Sequence, residues 1–122
     1  MATAMKTISV QALHELSRTQ PVELIDVRTL EEFRGLRSPL ARHVPMDTID
    51  PHQLMRNRTG AADAPMYFIC HVGGRSGATC LALTAAGYPN VVNVVGGMEA
   101  WEAAGLPVER GQAVRREVTD CD

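Results

Sequence analysis

Apolar positions along the chain fall into short runs that alternate with segments of helical spacing. Five runs have the pattern of buried or half-buried strands, and they read KTIS, VELIDV, ARHVP, MYFIC and NVVNVV. The segments that separate and follow them have helical spacing, and they read VQALHELSR, TLEEFRG, DPHQLMRN, SGATCLALTAAG and MEAWEAAG. Strands that alternate with helices form a parallel sheet with helices on its faces. The sequence therefore predicts an α/β fold, a small parallel β-sheet flanked by short helices.

Capping residues mark where several of these helices begin and end. Ser9 and Thr29 stand where an N-cap hydroxyl accepts a backbone hydrogen bond. Asp50 is followed by Pro51 at the first helical position, and Gly35 ends the second helix. With 122 residues the chain has the length of one domain. We expect a single domain over residues 1–110, followed by a polar, flexible tail over residues 111–122.

Charge and hydropathy limit the classes of partner. Twelve Lys and Arg against fourteen Asp and Glu give a net charge of −2, and no block of like charge is present. This balance argues against nucleic acid or an anionic membrane surface as the main partner. No segment approaches the roughly 20 apolar residues of a membrane span. The start, MATAMKTISV, has no apolar signal-peptide core, so we expect a cytoplasmic protein.

The three cysteines are Cys70, Cys80 and Cys121, which are widely spaced and odd in number. They form no CxxC pair and no Cys/His ligand spacing, so we expect neither a disulfide framework nor a metal or other cofactor. Cys80 lies on the apolar side of a helix and is predicted to pack in the core. Cys121 is predicted to be a passive thiol in the tail.

Polar residues lie at the carboxyl ends of two of the predicted strands, where parallel sheets bind ligands. One cluster is Asp26, Val27 and Arg28, and the other is CHVGGRS at residues 70–76, called the cysteine loop below. Two such strand ends at one edge predict an active site. Asp26 and Arg28 have three open interpretations: an ion pair that supports the cysteine loop, a pair that faces substrate, or a pair on the solvent side of a strand end.

The cysteine loop has the composition of an anion-binding backbone turn. It contains Cys70, then His71, Val72, Gly73, Gly74, Arg75 and Ser76. If the backbone N–H groups point inward, the sulfur lies in a concave nest at the positive end of the following helix. Gly73 and Gly74 permit the backbone angles that this requires. Such a setting lowers the pKa of a thiol and creates a nucleophile, whereas the alternative is a buried, inert cysteine.

The spacing within the loop bears on the anion that it holds. Four residues separate Cys70 from Arg75. A loop resembling that of the tyrosine phosphatases has five residues there, since it must surround a tetrahedral phosphate. A loop that is one residue shorter favours a smaller anion, a cysteine that carries one additional sulfur atom.

Three motifs stand in a fixed order along the chain. They are Cys-x-x-Gly-x-Arg-Ser after a strand, LIDVRTLEEF upstream and NVVNVVGGMEAW downstream. Together they resemble the rhodanese (sulfurtransferase) family in its single-domain form, and the resemblance covers residues 8–108. It implies that Cys70 takes a sulfane sulfur from a small anionic donor such as thiosulfate and passes it to cyanide or a thiol acceptor. It also implies that the amides of residues 71–75 stabilise the persulfide and that Arg75 braces the loop. The alternative is a persulfide carrier that exchanges sulfur with a protein donor or acceptor.

The chain departs from the family pattern at two places. Many members have arginine where this chain has His71, which is only partly charged at neutral pH and favours the carrier alternative slightly. The usual Gly-His-Ile-x-Gly-Ala stretch is replaced by GLRSPLARHVP. We expect Arg37, Arg42 and His43 to keep this wall of the pocket basic. Near the end of the chain, Met98 and Trp101 are predicted to be core residues.

Overall fold

The computed structural model describes residues 5–111, which form seven strands and five α-helices. In chain order the elements are β1 (Lys6–Ser9), α1 (Val10–Ser17), β2 (Glu23–Asp26), α2 (Leu30–Gly35), β3 (Leu36–Arg37), β4 (Ala41–His43), a 3₁₀ turn (Met46–Thr48), α3 (Pro51–Arg56), β5 (Met66–Ile69), α4 (Gly74–Ala85), β6 (Val91–Val95), α5 (Gly97–Ala103) and β7 (Glu109–Arg110). Five strands form one sheet in the order β1-β6-β5-β2-β4, and every neighbouring pair is parallel. The predicted fold class is confirmed.

The two faces of the sheet are covered by different helices because successive strand residues point to opposite sides. Leu24 and Tyr67 face the side on which α1 and α5 pack, and this core includes the fully buried Trp101. Ile25 and Phe68 face the other side, where α3 and α4 pack. Met98 lies in the first core and Cys80 in the second, as predicted.

The predicted caps hold the helix ends. Ser9 Oγ accepts a hydrogen bond from the amide of Ala12, and the Asp50 carboxylate accepts from the first turn of α3. Helix α4 begins at Gly74, two residues earlier than the predicted start at Ser76. The reason is that Gly73, with a φ of 113°, makes the turn into the helix by itself.

Two short strands were missed by the sequence patterns. β3 and β7 pair antiparallel and form a second, two-stranded sheet. Arg37, which is buried, joins them to α2: its guanidinium donates to the carbonyl oxygens of Phe33, Arg34 and Gly111 and forms an ion pair with Glu109 at 3.4 Å. The Gly111 carbonyl thus belongs to this contact, while residues 112–122, with Cys121 and the rest of the predicted tail, lie outside the described residues.

Within residues 5–111 no helix combines the length and the apolar character needed to cross a membrane. The same residues contain no group of three or more His, Cys, Asp or Glu side chains arranged to hold a metal ion.

Candidate functional site

The carboxyl ends of β2, β5 and β6 meet at one edge of the sheet and bring both predicted polar clusters together. Arg28 follows β2, Cys70 follows β5, and a glycine pair follows β6. Arg28, His71 and Met98 line one cleft at this edge, while Arg28 and Arg75 line a second. The cysteine loop therefore lies between two clefts that share Arg28.

The cysteine loop folds around its own sulfur. Cys70 Sγ accepts hydrogen bonds from the amide of Gly73 at 3.1 Å, the amide of Ser76 at 3.3 Å and the hydroxyl of Ser76 at 3.3 Å. The two glycines differ from expectation. Gly73 has the left-handed backbone, but Gly74 is the first residue of α4 and has no positive φ, because one left-handed residue is enough to start the helix.

These hydrogen bonds set the acidity of the thiol. Burial of the sulfur alone would raise the pKa of Cys70, but the hydroxyl and amide of Ser76 and the amides of Gly73 and Arg75 outweigh burial and lower the pKa below its ordinary value. Among the described residues Cys80 has no such donors, and burial raises its pKa to about 12. Of these two buried thiols, Cys70 is the one prepared to act as a thiolate. His71 and Val72 are exposed on the outer side of the loop.

Arg75 contacts a carboxylate on the neighbouring helix. Its guanidinium forms two parallel hydrogen bonds with Glu32 of α2, at 2.8 and 2.9 Å. Glu32 also completes a capping box with Thr29. The bond from Arg75 is the largest contribution to the pKa of Glu32, which falls to about 2 although partial burial opposes the shift. Glu32 was not among the site residues predicted from the sequence, and the T-x-x-E capping spacing was the signal that could have pointed to it.

Asp26 and Arg28 form a buried ion pair. The carboxylate and the guanidinium approach to 2.9 Å, and Arg28 also donates to the Leu36 carbonyl oxygen at 2.5 Å. Both residues are almost fully buried, with 0% and 4% exposure. The interpretation as a solvent-side pair is therefore wrong, since the strand end is covered by the stretch that follows α2.

The glycine pair after β6 holds the cysteine loop from the other side. The amide of Met98 donates to the carbonyl oxygen of Cys70 at 2.8 Å, and that of Glu99 to the carbonyl oxygen of His71 at 3.0 Å. Gly97 has a φ of 58°, and a Cβ there would collide with the backbone of Cys70 and His71. The sequence pattern predicted a glycine turn here, but not its contact with the cysteine loop.

The stretch after α2 was expected to form a basic wall of the pocket, and this prediction is wrong. Arg37 is buried against backbone carbonyl groups, Arg42 pairs with Glu23, and His43 bonds the Arg28 carbonyl oxygen. Each of these side chains is thus committed to a structural partner.

The cleft beside His71 is instead rich in carboxylates. It encloses about 430 Å³ and is lined by Glu31, Glu32, Glu99 and Glu102 in addition to Arg28. Glu32 is neutralised by Arg75, and Glu102 pairs with Arg110 at 2.9 Å. Two carboxylates of this cleft, Glu31 and Glu99, are thus left without an ion-pair partner among the described residues.

Comparisons with known proteins identify the family of this chain. The family model described as the rhodanese-like domain matches residues 9–104. The chain belongs to the rhodanese-like domain family. It is 31% identical over 112 residues to the thiosulfate sulfurtransferase GlpE of Actinobacillus succinogenes, an alignment that covers 92% of this chain and 97% of that protein. It is 28% identical to YrkF of Bacillus subtilis, named as a candidate sulfur carrier protein, over 82% of this chain and 52% of that one. The crystal structure of a rhodanese-like domain protein from Staphylococcus aureus superimposes with a TM-score of 0.67 at 39% identity, covering 80% of this chain and 91% of the other.

Proposed function

We propose that this rhodanese-like protein is a sulfurtransferase that carries a sulfane sulfur on Cys70. The observation that carries the proposal is the convergence of the Gly73 and Ser76 donors on Cys70 Sγ, together with the lowered pKa of this thiol. A thiolate held in this way is a nucleophile at neutral pH. A thiol of this kind also needs a reducing compartment such as the cytoplasm to stay free.

The reaction has two displacement steps. The Cys70 thiolate attacks the outer sulfur of thiosulfate, an S–S bond forms to Sγ, and the bond to the sulfonate group breaks, so that its electron pair leaves with sulfite. The terminal sulfur of the resulting persulfide carries the negative charge. Cyanide or a thiolate then attacks this terminal sulfur, yields thiocyanate or a new persulfide, and returns the thiolate to Cys70. The reaction requires no metal or cofactor.

The other loop residues have supporting roles in this proposal. The backbone of His71, Val72, Gly73 and Gly74 forms the concave surface that receives the terminal sulfur, and Ser76 supplies a hydroxyl and an amide. Arg75 holds the loop against α2 through Glu32. The buried pair of Asp26 and Arg28 fixes the neighbouring strand end at the mouth of the site.

One observation favours a second candidate, a persulfide carrier with poor thiosulfate turnover. Glu31 and Glu99 line the cleft at His71 and have no ion-pair partner among the described residues. A negative potential slows the approach of a dianion such as thiosulfate but does not disfavour a neutral thiol or a basic protein partner. The likeness to YrkF supports the same alternative.

Intact-mass measurement tests both candidates. After incubation with thiosulfate or with a low-molecular-weight persulfide, followed by gel filtration, we expect the protein to gain one sulfur atom. Cys70→Ser should gain none, and Cys80→Ala, which changes the other buried thiol, should still gain it. Loading from both donors with rapid thiocyanate formation supports the thiosulfate enzyme, and loading from the persulfide alone supports the carrier. Absence of retained sulfur with either donor would refute the proposal.

A further inference from the structure

Asn93 is a polar residue in the apolar strand β6, and it lies beside the cysteine loop. It is largely buried, and its amide nitrogen donates to the carbonyl oxygen of Gly73 at 3.2 Å. A backbone carbonyl only accepts hydrogen bonds, so this contact assigns the orientation of the amide and turns Oδ1 toward Ser76. Oδ1 lies 2.5 Å from Ser76 Oγ. Because an amide oxygen only accepts, the Ser76 hydroxyl is the donor in this pair.

The hydroxyl hydrogen of Ser76 therefore has competing acceptors. Ser76 Oγ lies 3.3 Å from Cys70 Sγ and 3.3 Å from the Gly73 carbonyl oxygen, in addition to its contact with Asn93. A hydroxyl has one hydrogen and two lone pairs, so it cannot donate fully to Asn93 and to the sulfur at the same time. The sulfur and the amide oxygen thus compete for a single donor.

The charge on the sulfur decides this competition. A neutral thiol can donate its own hydrogen to Ser76 Oγ, and the hydroxyl then donates to the nearer acceptor, Asn93. A thiolate has no hydrogen and attracts the hydroxyl more strongly, since hydrogen bonds to charged groups are roughly twice as strong as neutral ones. When the hydroxyl turns to the thiolate, the buried Oδ1 of Asn93 loses this donor.

We propose that Asn93 is a positioning residue that acts on Cys70 through Ser76, holding the hydroxyl hydrogen while Sγ is uncharged and yielding it when Sγ is a thiolate. Its functional meaning rests on the proposed sulfur transfer. When the thiolate takes up a sulfane sulfur, the negative charge moves from Sγ to the terminal sulfur. Asn93 then recovers the hydrogen, so its presence favours the persulfide over the free thiolate.

Charged groups on several elements surround the cysteine loop, and the test leaves all of them in place. They are Asp26 at the end of β2 and Arg28 after it, Glu31 and Glu32 on α2, Asp47 in the 3₁₀ turn, His71 and Arg75 in the loop, and Glu99 and Glu102 on α5. Any change in the acidity of Cys70 in the variants below therefore comes from the hydrogen bonds of Ser76 and Asn93.

The experiment compares the pKa of Cys70 in Asn93→Leu, Ser76→Ala and the double variant. Leucine branches at the same carbon as asparagine but accepts no hydrogen bond, so the Ser76 hydroxyl becomes free to donate to the thiolate. We expect the pKa to fall by up to about one unit in Asn93→Leu, which is about tenfold more thiolate below the pKa, and to rise by about as much in Ser76→Ala. The double variant should match Ser76→Ala, since in this proposal Asn93 acts on the thiol through the hydroxyl and not through its own hydrogen bond to the Gly73 carbonyl oxygen.

The pKa is read from the ultraviolet absorbance of the thiolate against pH, with Cys70→Ser as the blank, and from the pH dependence of iodoacetamide alkylation. Thermal unfolding checks that each variant is folded, and Asn93→Ala replaces the leucine variant if it is not. Opposite shifts in the two single variants support the proposal, because a loop that was merely loosened would lose its donors and raise the pKa in both. A pKa that is unchanged or raised without Asn93, or a double variant that differs from Ser76→Ala, overturns it. The measurement uses no sulfur donor, so its outcome is independent of whether sulfur transfer occurs.

Discussion

Gly97→Ala adds one methyl group in the turn after β6. We expect it to damage the cysteine loop more than a methyl group added at any other position of this turn. The φ of 58° costs an L-residue about 1–2 kcal/mol. The new Cβ also meets the backbone of Cys70 and His71, which cannot rotate away as a side chain would. Overpacking of this kind costs about 1–3 kcal/mol more. The expected loss of unfolding free energy is therefore about 2–5 kcal/mol, within the usual 5–15 kcal/mol of a domain.

Gly105→Ala is the matched control for this prediction. Gly105 has a φ of 72°, but a Cβ there meets no atom of residues 5–111 within 4 Å, so only the conformational cost remains. Urea denaturation of both variants gives the difference that belongs to the collision. Because the collision displaces the residues that carry the thiol, we expect sulfur transfer to fall at least tenfold in Gly97→Ala and to stay near the native rate in Gly105→Ala. Equal loss of stability in the two variants, or native transfer in Gly97→Ala, would refute the reasoning.

Three further predictions concern the acid–base groups of the site. Glu32→Gln removes the carboxylate that binds Arg75, and sulfur transfer should fall several-fold. The pKa of Glu32 in the folded protein is about 2, below its ordinary 4.5. The ionised carboxylate therefore stabilises the folded state above pH 4.5, and this stabilisation is lost as the pH falls toward 2. Acid unfolding followed by circular dichroism should thus depend less steeply on pH in this variant. Limiting iodoacetamide at neutral pH should modify Cys70 before Cys80, whose pKa is about 12. Peptide mapping that finds Cys80 labelled first would contradict the proposal that Cys70 is the thiolate. His71→Arg places a permanent positive charge at the acidic cleft and should lower the KM for thiosulfate about threefold at low ionic strength, an effect that added salt should remove.

Most of the fold followed from local patterns in the sequence. The caps at Ser9 and Asp50 and the apolar runs of the central strands are signals within a few residues, and the structure has the corresponding elements. β3 and β7 have two residues each and exist because Arg37 binds groups far along the chain. No periodicity can be read from two residues, so these strands were not predictable.

In the candidate site, too, local features were predictable from the sequence and long-range contacts were not. The turn around the Cys70 sulfur was predictable because Cys70 and Gly73 lie only three residues apart, in a spacing that is itself distinctive. Glu32 contacts the loop across 43 positions of sequence, and Gly97 approaches it from the start of α5, after a different strand. The prediction of a basic pocket wall was wrong for a related reason. A sequence shows that an arginine is present, but not that its guanidinium is bound to a buried carbonyl group.

The Arg37 contact has a consequence for how this domain can be cut and joined. The family match ends at Ala104, yet the Arg37 guanidinium is held from beyond that point by the side chain of Glu109 and the carbonyl of Gly111. A segment excised at the alignment boundary would leave this cation without two of its acceptors at the exit of α2, the helix that carries Glu32. Fusion proteins and domain transplants should therefore keep the chain through Gly111, so that both of these partners of Arg37 are retained.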